Sequence, residues 1–355
     1  MRIALLHTRL SGYLAACLRA YQRMTGAELL IYAWPHQTDA PFDPTLFADL
    51  GEVHSRRDTS DEEIEAAVRR FSPDAILTSG WADKGYVRIC RSMRRRGVPV
   101  IAGCDTQWTG GLRQRVAGLT APLHVQKVID VLWVTGERQA VLARSLGFRG
   151  NRLWDGYYAC DWKAFASAGR DSARTTVSAA DRAFLFVGRY VPVKGLDTLL
   201  AAYRMYRGRV SSPWRLRCAG TGPLQGELTG DGVEDLGFIQ PDALPGVMAG
   251  ANAFVLPSRF EPWGVVAHEA AASGLPLILS DACGAGVHLL RHLYNGYSFP
   301  AGSAASLADA MVAMHELSVD RWRAFGQASF ELSKQYTPQR WAETLAQGIE
   351  KIVVG

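Results

Sequence analysis

Two stretches carry most of the residues whose types and spacing could do chemistry. In the first, Phe186-Val187-Gly188-Arg189-Tyr190-Val191-Pro192-Val193-Lys194-Gly195 follows an apolar, strand-like run and leads into a helix-period segment. Gly188 would let a phosphate approach the backbone, while Arg189 and Lys194 set two cations beside a helix N-terminus whose dipole also favours an anion. The combination suits a diphosphate, although by itself the segment also reads as a surface turn with solvated charges. In the second, Leu256-Pro257-Ser258-Arg259-Phe260-Glu261-Pro262-Trp263-Gly264-Val265-Val266-Ala267-His268-Glu269-Ala270 again joins a strand to a helix. Pro262 and Gly264 place Glu261 in the loop, and Glu269 falls about one turn into the helix. The N–H groups near Trp263, Gly264 and Val265 would point toward whatever Glu261 touches. An acid, a donor-rich helix start and a second, deeper acid can hold sugar hydroxyls, phosphate and ribose. The plainer alternative is a capped helix with one exposed acid.

Other constellations are weaker. Gly220-Thr221-Gly222-Pro223-Leu224-Gln225-Gly226 has a glycine spacing one residue off the dinucleotide fingerprint, and no acid ends a strand about 20 residues later. The eight histidines form no ligand cluster, so His268, His288 and His292 read as packing or polar-surface residues. Six scattered cysteines without a CxxC pair read as reduced, buried thiols. No metal or cofactor is expected. Lys84, Arg88, Arg91 and Arg95 share one helix face and Tyr86, Ile89, Cys90 and Met93 another. This basic amphipathic helix is either a solvated outer helix or a dock for anionic lipid. Nucleic acid is disfavoured, because no aromatic interleaving or binding motif accompanies the charge.

The elements that must position these residues alternate between β-rich apolar runs and helical periods, the pattern of doubly wound parallel sheets. Strands are predicted at 2–7, 28–33, 74–78, 99–103 and 131–134, with helices at 10–24, 61–71, 84–96, 112–117 and 137–146. After a low-apolar stretch the pattern restarts with strands at 184–187, 214–218, 253–256 and 276–279 and helices at 196–206 and 265–272. Residues 304–354 are almost wholly helical in period. The 355 residues therefore divide into a Rossmann-like domain at 1–163, a linker at 164–181, a second Rossmann-like domain at 182–335, and a last helix at 336–355 returning toward the first. A content of 48% hydrophobic and 21% charged residues fits a folded enzyme and excludes disorder. No run is long enough to span a membrane, and Met1-Arg2-Ile3 leads directly into a strand, so a soluble, cytoplasmic protein is expected. Residues 1–170 hold 23 Lys and Arg against 17 Asp and Glu, and 171–355 hold 16 against 17. The basic surplus belongs to the first half.

With these motifs the chain resembles the retaining, metal-independent glycosyltransferases of family 4, which have the GT-B fold: two Rossmann-like domains facing a central cleft. The stretch from Phe186 to Gly195 is similar to that family's Gly-Arg…Lys-Gly motif, and Pro257 to Pro276 to its Glu-x7-Glu motif. Weaker matches are Cys218 to Pro223, Leu236 to Ile239 before Leu244-Pro245, and Gly156-Tyr157-Tyr158 before Asp161. The resemblance implies a nucleoside-diphosphate sugar donor in the second domain and a sugar, lipid-linked or small-molecule hydroxyl acceptor in the first. Gly188, Arg189 and Lys194 would hold the diphosphate and stabilise it as it leaves, and Glu269 would bind the ribose. Glu261 with the amides of Trp263, Gly264 and Val265 would hold the transferred sugar, and Phe238 and Ile239 would face the base. Gly12 matches the family's first glycine-rich loop. Asp105, in Cys104-Asp105-Thr106-Gln107-Trp108, stands where the family usually has His and joins Gly12 on the acceptor side. The implied setting is polysaccharide or glycolipid assembly, with peripheral association at the inner membrane face. A nucleotide-sugar epimerase of the same fold and a non-catalytic nucleotide-sugar binder are the alternatives.

Overall fold

The computed structural model describes residues 1–35, 42–170 and 182–354, and these fall into two compact units. The first unit holds 1–35, 42–159 and 336–354, and the second holds 160–170 and 182–335. Along the first run β1 (Arg2–His7), α1 (Gly12–Thr25), β2 (Glu28–Ala33), β3 (Val53–Ser55), α2 (Asp61–Phe71), β4 (Ala75–Thr78), α3 (Lys84–Arg94), β5 (Val100–Cys104), α4 (Leu112–Thr120), β6 (Val131–Val134), α5 (Glu137–Ser145) and β7 (Leu153–Asp155). The second contains α6 (Trp162–Arg170), β8 (Ala183–Val187), α7 (Leu196–Arg207), β9 (Arg215–Ala219), β10 (Val233–Asp235), α8 (Leu244–Ala249), β11 (Ala253–Leu256), α9 (Val265–Ala272), β12 (Leu277–Ser280), α10 (Gly286–Leu289), β13 (Gly296–Phe299), α11 (Ala304–His315) and α12 (Val319–Ser333). Helix α13 (Pro338–Val354) belongs to the first.

Both sheets are parallel and doubly wound, in the orders β3-β2-β1-β4-β5-β6-β7 and β10-β9-β8-β11-β12-β13. Strands β4, β5, β6, β11 and β12 are buried at every position, because helices cover both faces. Each chain order reverses once, between β1 and β4 in the first unit and between β8 and β11 in the second. Loops at the carboxyl ends of strands flanking such a reversal form a crevice that binds ligands in open α/β sheets.

Local sequence sets the helix starts. Ser11 caps α1 by accepting from the Leu14 N–H, and Ser60 and Glu63 form a reciprocal capping box on α2. Asp83 caps α3 by accepting from the Gly85 and Tyr86 N–H groups at 2.8 and 3.0 Å. Helix α3 buries Tyr86, Ile89, Cys90 and Met93, and Lys84, Arg88, Arg91 and Arg95 are exposed.

The linker expected at 164–181 needs correction over its first part. Residues up to Arg170 continue α6, with Phe165 and Ala166 buried. The alanines that suggested a linker are also the best helix formers, and one buried aromatic anchors them. Residues 171–181 lie outside the described residues. At the other end of the chain, Trp341 of α13 stacks on Trp133 of β6 at 4.7 Å and donates from Nε1 to the Tyr157 carbonyl at 2.9 Å. Among the described residues no helix is long and apolar enough to cross a membrane.

Candidate functional site

In the second unit the loops after β8 and β11 flank the chain reversal and touch each other. Gly195 has φ +70°, and a Cβ there would lie 2.3 Å from the Pro257 carbonyl oxygen. Only glycine permits that backbone and that approach. The loop after β9 packs on the other side: a Cβ on Gly220 would lie 1.9 Å from the Gly188 carbonyl oxygen. The Tyr190 N–H donates to Thr221 O at 2.8 Å and the Gly188 N–H to Ala219 O at 3.0 Å. The Gly220/Gly222 pair therefore shapes the neighbouring Gly188–Tyr190 loop. Phe238 and Ile239 follow β10, where the Gly237 carbonyl accepts from the Gly220 N–H at 2.8 Å. The two predicted motifs and the predicted base segment thus share one sheet edge.

Lys194 and Glu261, assigned separate tasks by the sequence, form an ion pair. Glu261 is 7% exposed, and Ser258 Oγ also donates to its carboxylate at 3.3 Å. Burying a carboxylate is costly unless a cation and hydrogen bonds go with it, and Lys194 and Ser258 supply them. Arg189 is exposed on the same loop. The segment after β12 was not legible as part of this site. Gly284 donates its N–H to the Glu261 carbonyl at 2.9 Å and Ala285 to the Trp263 carbonyl at 2.8 Å. Its signal was present as Gly284-Ala285-Gly286 following an apolar strand.

Helix α9 starts at Gly264, φ +95° and ψ +69°, with no side-chain cap and no acid in its first turn. Its first donors are thus left for another acceptor. One turn in, burial pushes the Glu269 carboxyl up to about 7, and among the described residues its carboxylate has no hydrogen-bond partner. The preceding residue, His268, is a core histidine: Nδ1 accepts from the Cys160 N–H at 3.2 Å and Nε2 lies 3.0 Å from Ser333 O. Burial lowers its pKa to about 4.

The Glu269 carboxyl has a folded-state pKa above its unfolded value of 4.5, so the fold favours its protonated form. That stability is fully present below pH 4.5 and is lost as pH rises through 7. Glu269→Gln is therefore expected to be more stable than wild type above pH 7, by about 3 kcal/mol at most, with the gap closing toward pH 4.5. Melting temperatures across that range check this, and a constant gap would show that the carboxyl is not kept from water.

In the first unit Asp105 directly follows β5 and is exposed. The Tyr158 hydroxyl donates to its Oδ2 at 3.2 Å, and Gln139 Nε2 donates to its carbonyl at 3.0 Å. Burial, then the charges of Tyr13 and Asp105, hold the Tyr158 hydroxyl well above its usual pKa, so it stays a donor. Tyr13 packs edge-on to Tyr158 at 5.0 Å, next to Gly12 at the start of α1. His7 Nδ1 lies 2.6 Å from the Arg9 carbonyl, and its Nε2 lies 2.9 Å from the Tyr157 hydroxyl. Burial lowers its pKa to about 4, so the ring is neutral, with Nδ1–H donating and Nε2 accepting. The sequence offered Gly12 and Asp105 alone. Its spacing does not single out His7, Tyr13 or Tyr158, although Gly156-Tyr157-Tyr158 is one of the weaker motifs.

The family model of glycosyl transferases group 1 matches residues 181–316. An uncharacterized glycosyltransferase of Methanocaldococcus jannaschii is 32% identical over 129 residues, 33% of this chain and 31% of its own length. The chain thus spans about a third of that relative. The phosphatidyl-myo-inositol mannosyltransferase of Mycobacterium leprae is 32% identical over 294 residues, which cover 80% of this chain and 73% of the relative. Among solved structures, Anabaena HepE in complex with UDP and glucose aligns with a TM-score of 0.75 at 17% identity over 99% of both chains, and so shares the fold. Identity of that extent to the mannosyltransferase, on two doubly wound parallel sheets and with the second unit matched by the family model, means that the chain belongs to the group 1 glycosyltransferases of GT-B fold.

Proposed function

We propose that the chain moves a sugar from a nucleoside-diphosphate sugar to a hydroxyl acceptor, with retention of anomeric configuration and without a metal. The observation that carries this reading is the meeting of the Gly188–Gly195 and Glu261–Glu269 segments at the chain reversal of the second unit. There a diphosphate would find Arg189, Lys194 and the first N–H groups of α9. Glu269 would accept from ribose hydroxyls, Phe238 and Ile239 would flank the base, and Glu261 would hold the hydroxyls of the sugar. The bond from the anomeric carbon to the diphosphate oxygen breaks with its electron pair on the diphosphate, where the cations stabilise the developing charge. The acceptor oxygen bonds to the anomeric carbon on the face the diphosphate leaves, and its proton passes to that diphosphate or to Asp105. The names of the relatives support the reading: one is a mannosyltransferase, and HepE was solved with UDP and glucose. Glycolipid or polysaccharide assembly at an anionic membrane surface belongs to the same proposal, motivated by the basic surplus of the first half.

Incubation with labelled nucleotide sugars and a panel of hydroxyl acceptors, in the presence of a chelator, tests it. Transfer with unchanged anomeric configuration is expected. Inversion, dependence on added metal, or conversion of the nucleotide sugar to an epimer without acceptor would overturn it.

A further inference from the structure

We infer that α4 is an interfacial helix by which the first unit docks on an anionic lipid surface. It rests on the proposed membrane association and is independent of the transfer chemistry. Helix α4 buries none of its residues. Its inward side is polar or bare: Gln114 Nε2 donates to the Gln107 carbonyl at 2.9 Å and its Oε1 accepts from the Thr109 N–H at 2.7 Å. One turn on, Gly118 lies so close to α5 that a Cβ would come within 2.8 Å of the Ser145 carbonyl oxygen. At about 100° per residue, Leu112, Val116 and Leu119 stand on the opposite side. They are 78, 49 and 83% exposed, and Leu123 just beyond is 62% exposed.

Such a contiguous apolar ridge facing outward on a helix marks an interaction surface, and its flanks say with what. Arg113 and Arg115 lie on either side of the ridge, and no Asp or Glu occurs between residues 106 and 129. Beyond Leu123 the chain reaches Lys127, whose carbonyl accepts from Arg94 at 3.3 Å. Arg91, Arg94, Arg95 and Lys127 line a surface cavity of about 340 Å³ together with Asp130, which pairs with Arg94 at 2.7 Å, so three of its four cations face no acid within the cavity. Residues of α3 and the segment 121–129 pack into one cluster with β4, β5 and β6, so the chain that leaves α4 joins the same core as the basic helix. An apolar ridge bordered by cations is the pattern of a helix lying in a bilayer interface. A second copy of the chain would bring like charges together, and a nucleic acid would leave the leucines uncovered.

This relocates the expected membrane contact. Arg88 of the predicted stripe is paired with Asp61, whereas the ridge on α4 supplies the apolar insertion that α3 lacks. The test is co-sedimentation of the full chain with vesicles of phosphatidylglycerol and phosphatidylcholine, against phosphatidylcholine alone, at low and high salt. Leu112→Ser/Leu119→Ser and Arg113→Gln/Arg115→Gln are compared with wild type. Wild type should pellet with the anionic vesicles and be released by salt, and each double variant should bind about tenfold more weakly or worse. Melting temperature and nucleoside diphosphate binding should stay unchanged in both, since these side chains are exposed and far in sequence from the second unit. Failure of wild type to pellet, or equal pelleting of the leucine variant, overturns the inference. A wild-type dimer that becomes monomeric in that variant while vesicle binding persists overturns it too, in favour of self-association.

Discussion

Asp105→Asn is expected to lower single-turnover sugar transfer at saturating donor by roughly 10²–10⁴-fold, with donor affinity and melting temperature little changed. A turn-forming aspartate would bond to the backbone N–H groups of its own turn. In the structure its carboxylate instead accepts from the Tyr158 hydroxyl, and Gln139 holds its carbonyl in place. Asparagine preserves size and the bond from Tyr158 but cannot take a proton from an acceptor hydroxyl. Near-normal transfer by this variant would remove Asp105 from the chemistry and reduce it to a residue that closes a loop. Tyr158→Phe should have a smaller effect in the same assay, about tenfold, because it frees a carboxylate that is still present.

Lys194→Met should cost about 3–5 kcal/mol of stability, because it strands the Glu261 carboxylate in its buried position beside Ser258. It should also weaken nucleoside diphosphate binding about 10- to 150-fold, the equivalent of one lost charge-assisted bond. The two effects are separated by Lys194→Met/Glu261→Gln, in which no buried charge remains. Denaturant unfolding should show most of the stability restored in the double variant, while calorimetry should show binding still weak. A single variant as stable as wild type would mean that water reaches the pair. A double variant that binds the diphosphate normally would place neither residue at the donor.

The interior of the fold was legible in the sequence and its edges were not. Every predicted strand is present, and β1, β2, β6 and β11 coincide with their expected residues. The unpredicted strands β3, β7, β10 and β13 are the outermost members of the two sheets. Val53–Ser55, Leu153–Asp155 and Val233–Asp235 have three residues each and no fully buried position. An edge strand is covered on fewer sides and leaves no continuous apolar run to read. Site legibility followed the same logic. Gly188, Arg189, Lys194, Glu261, Phe238 and Ile239 sit in loops next to one another along one sheet edge, with Glu269 one turn into the helix that follows, because each lies near the carboxyl end of a strand. What periodicity could not show is which side chains meet. The Lys194–Glu261 pair joins residues 67 positions apart, and Tyr158 reaches Asp105 from 53 positions away. The ridge on α4 could not be read from a predicted helix at 112–117 alone, because only the exposure of Leu112, Val116 and Leu119 in the folded chain shows which face is left uncovered among the described residues.

In the proposed function the loops at the carboxyl edge of the second sheet hold a nucleoside diphosphate. Calorimetric titration of wild type, Arg189→Ala and Glu269→Gln with nucleoside diphosphates of the common bases tests it most directly. One of them should bind wild type with one-to-one stoichiometry. Both variants should bind it about 10- to 150-fold more weakly, the Glu269 variant doing so although it is the more stable protein above pH 7. Absence of binding by every nucleoside diphosphate, or equal affinity in both variants, would contradict the assignment.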